Sequence, residues 1–441
     1  MQDFEHSVAP HVRRLRQRAL NDRLRESLLF LPALMLVTST AVGFVLAEID
    51  ERTGDRGVPP SLTFAPDVAI SLLGTIAGAM ITTAGVVFSL LVVSLQLASG
   101  QFSPRVLRGF WRDRYGQVLV GLLLSTFAFC VLALTRVDTS AELAPAFTVL
   151  FALVLTLASV VAIVVYLDRI SRQQYVGRIL GRVVGETLRL IDELPYGPHI
   201  GVRAGEPVPP HEPAEPPFVV TAPADGWVQQ VSRRAVLAAV PHGSVVRLNT
   251  RVGAYVTRGA VFAMVWPVPP AADRPGIARL IAEAAIIGNA RTMQQDIDFG
   301  LRQLNDIALR ALSPAVNDPT TAIEVAVRLG SIMRPLLVAE LPAQAVRDAH
   351  GRILLTPWDL EHVEYVRHAF DQIRLYAAPH PQVQQAVVRT LRMLTAACST
   401  VEDRGAVLAE LDRQRALAAA GTARAGLLPE DQARVAAAAA G

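Results

Sequence analysis

Lysine is absent from this sequence: all 42 basic residues are arginine. That excludes any chemistry needing a lysine amine, including Schiff-base catalysis and a lysine-borne cofactor. Cysteine is nearly absent too. Cys130 and Cys398 supply neither a disulfide framework nor a metal-ligand spacing. Charge is scarce, at 18% of residues against about a quarter in soluble proteins, which points to a membrane protein with a soluble part. The net charge of +3 is too small to argue for nucleic acid, and the arginines gather beside apolar runs, as at a membrane surface. No nucleophile motif, phosphate-binding glycine loop or metal set occurs. An enzyme is therefore not expected, and neither is a cofactor or a bound metal. The first apolar run follows a long charged N-terminus without a small-residue cleavage site, unlike a signal peptide.

What the chain does have is long apolar runs. Four can cross about 30 Å of hydrocarbon: Leu28–Leu46, Val68–Leu97, Val118–Thr135 and Ala146–Leu167. None of them holds Asp, Glu, Lys, Arg or His, which argues against a proton- or ion-coupled carrier. Arginines crowd residues 13–25 before the first span, the loop between the second and third, and residues 169–189 after the fourth. Cytoplasmic loops collect arginine, so residues 1–27, both termini and everything after Leu167 are expected in the cytoplasm. The multi-pass chain would then sit in a bacterial inner membrane.

The second span carries a stripe of small and polar residues. Gly78, Thr82, Gly85, Ser89, Val92 and Gln96 follow at intervals of four and three, a heptad seam on one helix side, and Gly74 adds a GxxxG. Such a seam serves either close helix packing with interhelical hydrogen bonds or the lining of a wet path. It leads on to Gln101, Arg105, Arg108 and Arg112, which would ring an inner mouth if several copies assembled around this helix. At thirty residues, about 45 Å at 1.5 Å each, this span must tilt or project beyond the membrane. Phe110, Trp111 and Tyr115 among the arginines suit either a short interfacial helix or an ordinary basic loop.

Beyond the spans the chain is read as a cytoplasmic helix over 168–194, a Pro-rich linker over 195–217, a β module over 218–268, a helical domain over 276–420 and an Ala-rich, mobile tail over 421–441. In the β module, "ADGWVQQV" and "VGAYVTRGAVFAMV" resemble a biotinyl/lipoyl-type barrel, so a small barrel-like module is expected there. Without a lysine it cannot be a swinging arm, which leaves a structural or assembly role. In "RTMQQDIDFGLRQLNDIALRALSPAVNDPTTA" the residues Asp298, Arg302, Asp306 and Arg310 stack along one helix face. This is either a solvated charge ladder or a ligand or subunit contact, with Ile297, Leu301, Leu304, Ala308 and Ala311 buried opposite. Ser313-Pro314 ends that helix, Asn317 lies in the turn, and Asp318-Pro319 caps the next. His362 and His368, six apart, fall on different helix faces, a poor metal spacing.

"LQLASGQFSPRVLRGFWRDRYGQ" together with "QDIDFGLRQLNDIALRALSPAVNDPTTA" resembles the bacterial predicted membrane proteins of domain of unknown function 2254. The resemblance runs from the first span to about Ser399. It implies a bacterial inner-membrane protein of the four-span kind and hands over no activity. The expectation is a four-span α-helical integral membrane protein with a cytoplasmic β module and a C-terminal helical domain. It would assemble as a homo-oligomer around the second span, with lipid and an ion or small solute as partners. An anchored scaffold or sensor without flux is the alternative.

Overall fold

The computed structural model describes residues 30–53, 63–101, 114–173, 176–193 and 205–440. These divide into one unit that ends at Gln173 and another that begins at Val176.

The first unit holds four long helices: α1 (Phe30–Thr53), α2 (Pro66–Gln101), α3 (Arg114–Leu134) and α4 (Ala146–Gln173). Their apolar stretches run over Phe30–Arg52, Pro66–Val93, Tyr115–Leu134 and Ala146–Arg169, each long enough to span hydrocarbon. The 36 residues of α2 make about 54 Å at 1.5 Å per residue, longer than the sequence pattern suggested. Helix α3 is the centre: half of its span is buried, against 22–28% in the others, and each of the other three packs on it. Gly121 permits this. A Cβ there would sit 2.7 Å from Met35 Sδ and 3.0 Å from Pro32 Cα, so only a residue without a side chain lets α1 approach. Leu73, Leu119, Leu123 and Phe129 fill the core.

Among the described residues, uncharged polar groups tie these helices together in mid-span. Ser39 donates to the Ser125 carbonyl at 3.2 Å, and the Thr126 and Ser159 hydroxyls lie 3.2 Å apart. At one end, Asp50 accepts from the Phe147 and Thr148 amides, each at 3.0 Å. Its carboxylate thus satisfies orphan donors at the positive end of α4.

The second unit opens with α5 (Val176–Glu193), an amphipathic helix that buries Ile179, Leu180, Val183, Thr187 and Leu190. Strands β1 (Glu206–Pro207), β2 (Phe218–Thr221), β3 (Gly226–Val231), β4 (Val245–Leu248), β5 (Tyr255–Val256), β6 (Val261–Trp266), β7 (Ala285–Gly288), β8 (Ala345–Arg347) and β9 (Ile353–Leu355) form two sheets. One has the order β1-β8-β9-β4-β6-β2, the other β5-β3-β7. Neither closes, so the expected barrel gives way to open sheets. The physical reason is pairing from outside the 218–268 segment: β4 takes β9 as a parallel neighbour, and β7 completes the smaller sheet beside β3. Short helices α6 (Arg233–Ala238) and α7 (Arg274–Glu283) contribute Val236 and Ile281 to the core with Phe262 and Leu354.

Helices α8 (Ile297–Ala311), α9 (Pro319–Val338), α10 (His362–Tyr376), α11 (Pro381–Cys398), α12 (Gly405–Arg424) and α13 (Pro429–Ala440) follow. Helix α5 packs on α8 and α9, so it belongs to this unit's core. Two segments read as irregular are structured. The second half of the Pro-rich stretch lies on the sheet, where Trp266 Nε1 donates to the Glu215 carbonyl at 2.7 Å and Arg247 pairs with Glu212. The Ala-rich tail forms α13 and buries Val435 against Val388 and Ala418.

Candidate functional site

Two places concentrate the residues singled out from sequence. On α2, the core face is Leu73, Ile76, Ala77, Met80, Ala84 and Val87, all buried. The seam lies outside it: Gly74, Gly78, Thr82, Gly85, Ser89 and Gln96 are exposed. A Cβ added at Gly74, Gly78 or Gly85 would meet nothing within 4 Å. Thr82 donates to the Gly78 carbonyl at 2.8 Å, so its hydroxyl is satisfied within the helix. The exposed face of α4 is different, with Val154, Leu157, Val160, Val161, Val164 and Val165. Those aliphatic side chains match lipid; the α2 seam interrupts such a surface with glycine and hydroxyl groups. Gln101 ends α2, but its side chain and all of Arg105, Arg108 and Arg112 lie outside the described residues.

The second place is the start of α8. Its apolar face is buried as the periodicity required, with Ile297, Leu301, Leu304, Ala308 and Ala311 at the core. The charged face is not uniformly solvated. Asp298 is 1% exposed and stands inside an ion cluster. Its Oδ2 accepts from Arg291 Nη2 at 3.0 Å and from Arg302 Nε at 2.9 Å, and its Oδ1 accepts from His368 Nδ1 at 2.7 Å. Asp296 caps the helix by accepting from the Phe299 amide at 3.0 Å and holds Arg291 through both oxygens at 2.8 Å. Gly253 is required beside this pair: its φ is +81° and a Cβ would collide with the Asp296 carboxylate and the Arg291 guanidinium.

Burial by itself would raise the Asp298 carboxyl. The His368 hydrogen bond and the nearby Arg302 charge outweigh it and hold the group well below the usual carboxylate range. Asp296 goes the other way, pushed up by burial and by the Asp298 charge despite Arg291. Asp298 is therefore the anion on which the cluster closes.

Beside the cluster is a cavity of about 100 Å³, small against the roughly 300–1,000 Å³ of pockets for drug-sized ligands. Thr250 and Arg251, in the turn after β4, line it together with Asp296, Asp298, Arg233, Asp359 and Tyr365. Arg233 is ion-paired to Asp359 and donates to the Ala343 carbonyl at 3.1 Å. Burial first, then the charges of Asp296, Asp298 and Asp359, push the Tyr365 phenol up, so it stays protonated.

Asp298 and Arg302 are thus brought together. Asp306 and Arg310 lie farther along α8, half-buried. Asn317 and Asp318 occupy the turn after its far end. Asn317 is exposed with φ 47°. Asp318 caps α9 by accepting from the Thr321 amide at 3.1 Å and the Thr321 hydroxyl at 2.5 Å, which holds its carboxyl low; turn chemistry accounts for both. Sequence reasoning missed Arg291, Asp296, Thr250, Arg251 and Tyr365, and set His368 aside. "RTMQQDID" could have flagged Arg291 and Asp296 by their closeness to Asp298. Nothing local marks His368, seventy residues away. Among the described residues no group of three or more His, Cys, Asp or Glu is placed to hold a metal ion.

Four apolar helices of spanning length, in a chain that also holds a sheet-and-helix unit, define an α-helical membrane protein. The chain belongs to the family described as Predicted membrane protein (DUF2254), which matches residues 25–393. It is similar to an uncharacterized protein of Mycobacterium tuberculosis and to one of Mycobacterium bovis. Each is 34% identical over 406 residues, covering 90% of this chain and 77% of the relative. No solved structure matches it significantly.

Proposed function

We propose that the protein is a homo-oligomeric channel for ions or small solutes, with the α2 seam along the shared axis and the C-terminal unit controlling opening. On this reading it lies in the bacterial inner membrane with both termini cytoplasmic, and it performs no enzymatic reaction. One observation carries it: the glycine and hydroxyl stripe of α2 faces away from its own protomer, where an α4-like aliphatic face would suit lipid. Close backbone approach between copies would bury that stripe, and hydroxyls without fixed charge suit conduction over tight binding. The arginines after Gln101 would favour anions at the inner mouth.

The test is reconstitution of the full-length protein in planar bilayers, with oxidative cross-linking of a Ser89→Cys variant. Unitary conductance changed by Thr82→Leu, together with Ser89→Cys dimers, is the expected result. No conductance across voltage, tension and pH, with no cross-link, would sink the channel. A membrane-anchored sensor is the second reading, and the cavity beside Asp298, lined by charged as well as apolar side chains, favours it. Cross-linked copies without flux would select it.

A further inference from the structure

The cavity beside the Asp298 cluster has an imbalance that protein groups alone do not resolve. Its carboxylates are occupied. Both Asp296 oxygens accept from Arg291, Asp298 is shared by Arg291, Arg302 and His368, and Asp359 pairs with Arg233. The lining holds three aspartates and two arginines, Arg233 and Arg251, and the arginine not engaged by a carboxylate is Arg251. Among the described residues its guanidinium forms no ion pair and donates only to the Val252 carbonyl, at 3.1 Å.

A second, independent observation lies next to it in sequence. Thr250 lines the same cavity and is 5% exposed, yet its hydroxyl, shut off from solvent, has no hydrogen-bond partner among the described residues. A buried polar group left unpaired costs roughly 1–3 kcal/mol, so a hydrogen bond to a ligand group here would be favourable. Tyr365 lines the same cavity with a protonated phenol, and the space suits only a few heavy atoms.

We propose that this cavity binds a small oxyanion, a phosphate or a short carboxylate, held by the Arg251 guanidinium and the Thr250 hydroxyl with Tyr365 closing the site. A planar, permanently charged guanidinium is suited to two oxygens of such an anion. The proposal is independent of flux, so it stands or falls separately from the channel reading.

Isothermal titration of the full-length protein in detergent tests it, with inorganic phosphate and acetate as separate titrants in a chloride buffer. Saturable binding of at least one is expected, and the arm that binds identifies the class. Arg251→Gln should weaken it tenfold or more. Thr250→Val, which preserves shape, should weaken it about threefold while leaving the melting temperature of the unliganded protein unchanged or raised. Failure of both anions to bind saturably would mean that the cavity holds water only and would overturn the proposal. Binding that survives both substitutions would do the same.

Discussion

The stripe on α2 and the cluster around Asp298 both put polar atoms where apolar ones would be unremarkable, by opposite means. On α2 the polar groups carry no charge, and Thr82 is satisfied by its own helix at Gly78. Around Asp298 the carboxylate is charged and buried, and its partners come from near and far in the chain: Arg302 four residues on, Arg291 seven back and His368 seventy away. The difference follows from the solvent. In hydrocarbon an ion finds no compensating partner, so the charged residues of the four helices are kept to their ends. In the second unit two arginines and a histidine converge on one carboxylate, and that convergence offsets a desolvation cost of several kcal/mol per ion.

The largest effect should come from breaking the charged side of this comparison. Asp298→Ala leaves Arg291, Arg302 and His368 without their shared anion and is expected to cost about 3–5 kcal/mol, read as a large fall in the unfolding midpoint of the C-terminal unit. Its pH signature has a definite sign. The native carboxyl is held below its unfolded value of about 3.9. Its contribution is therefore full above that value and is lost as pH falls through the native one. Thermal melts of wild type should steepen downward below about pH 4, and Asp298→Asn should remove that part of the slope.

Next comes a contrast between two membrane glycines. Gly121→Val drives a side chain into Met35 and Pro32 and should cost about 1–3 kcal/mol through overpacking. Gly78→Val meets nothing in the protomer and should change protomer stability by no more than about 0.5 kcal/mol. If Gly78→Val instead abolishes Ser89→Cys cross-linking while melting like wild type, the stripe is a contact between copies. The smallest effect tests the uncharged ties. Thr126→Val removes the contact with the Ser159 hydroxyl and should cost about 0.6 kcal/mol, measured by unfolding in detergent.

Much of the fold was legible because the signals were local. Apolar length located the four spans, and the 3.6-residue period on α8 picked out its buried face. Pro and Asp marked the start of α9 at Pro319. The α2 seam was legible as a spacing. The errors came where partners lie far apart: β9 joins β4 from a hundred residues away, which opened the expected barrel into sheets. The charge ladder was legible in part for the same reason. Spacing by four describes neighbours on one helix and gave the Asp298–Arg302 pair, whereas His368 reaches Asp298 from another helix.

The sequence by itself determined that the chain crosses a membrane and which residues of α2 share a side, because hydrocarbon thickness and helical period act on consecutive residues. Only the tertiary structure decided that this side turns away from the protomer, and that Thr250, Arg251 and Tyr365 surround one cavity. Those relations depend on how distant segments pack, and neither length, composition nor spacing carries that information.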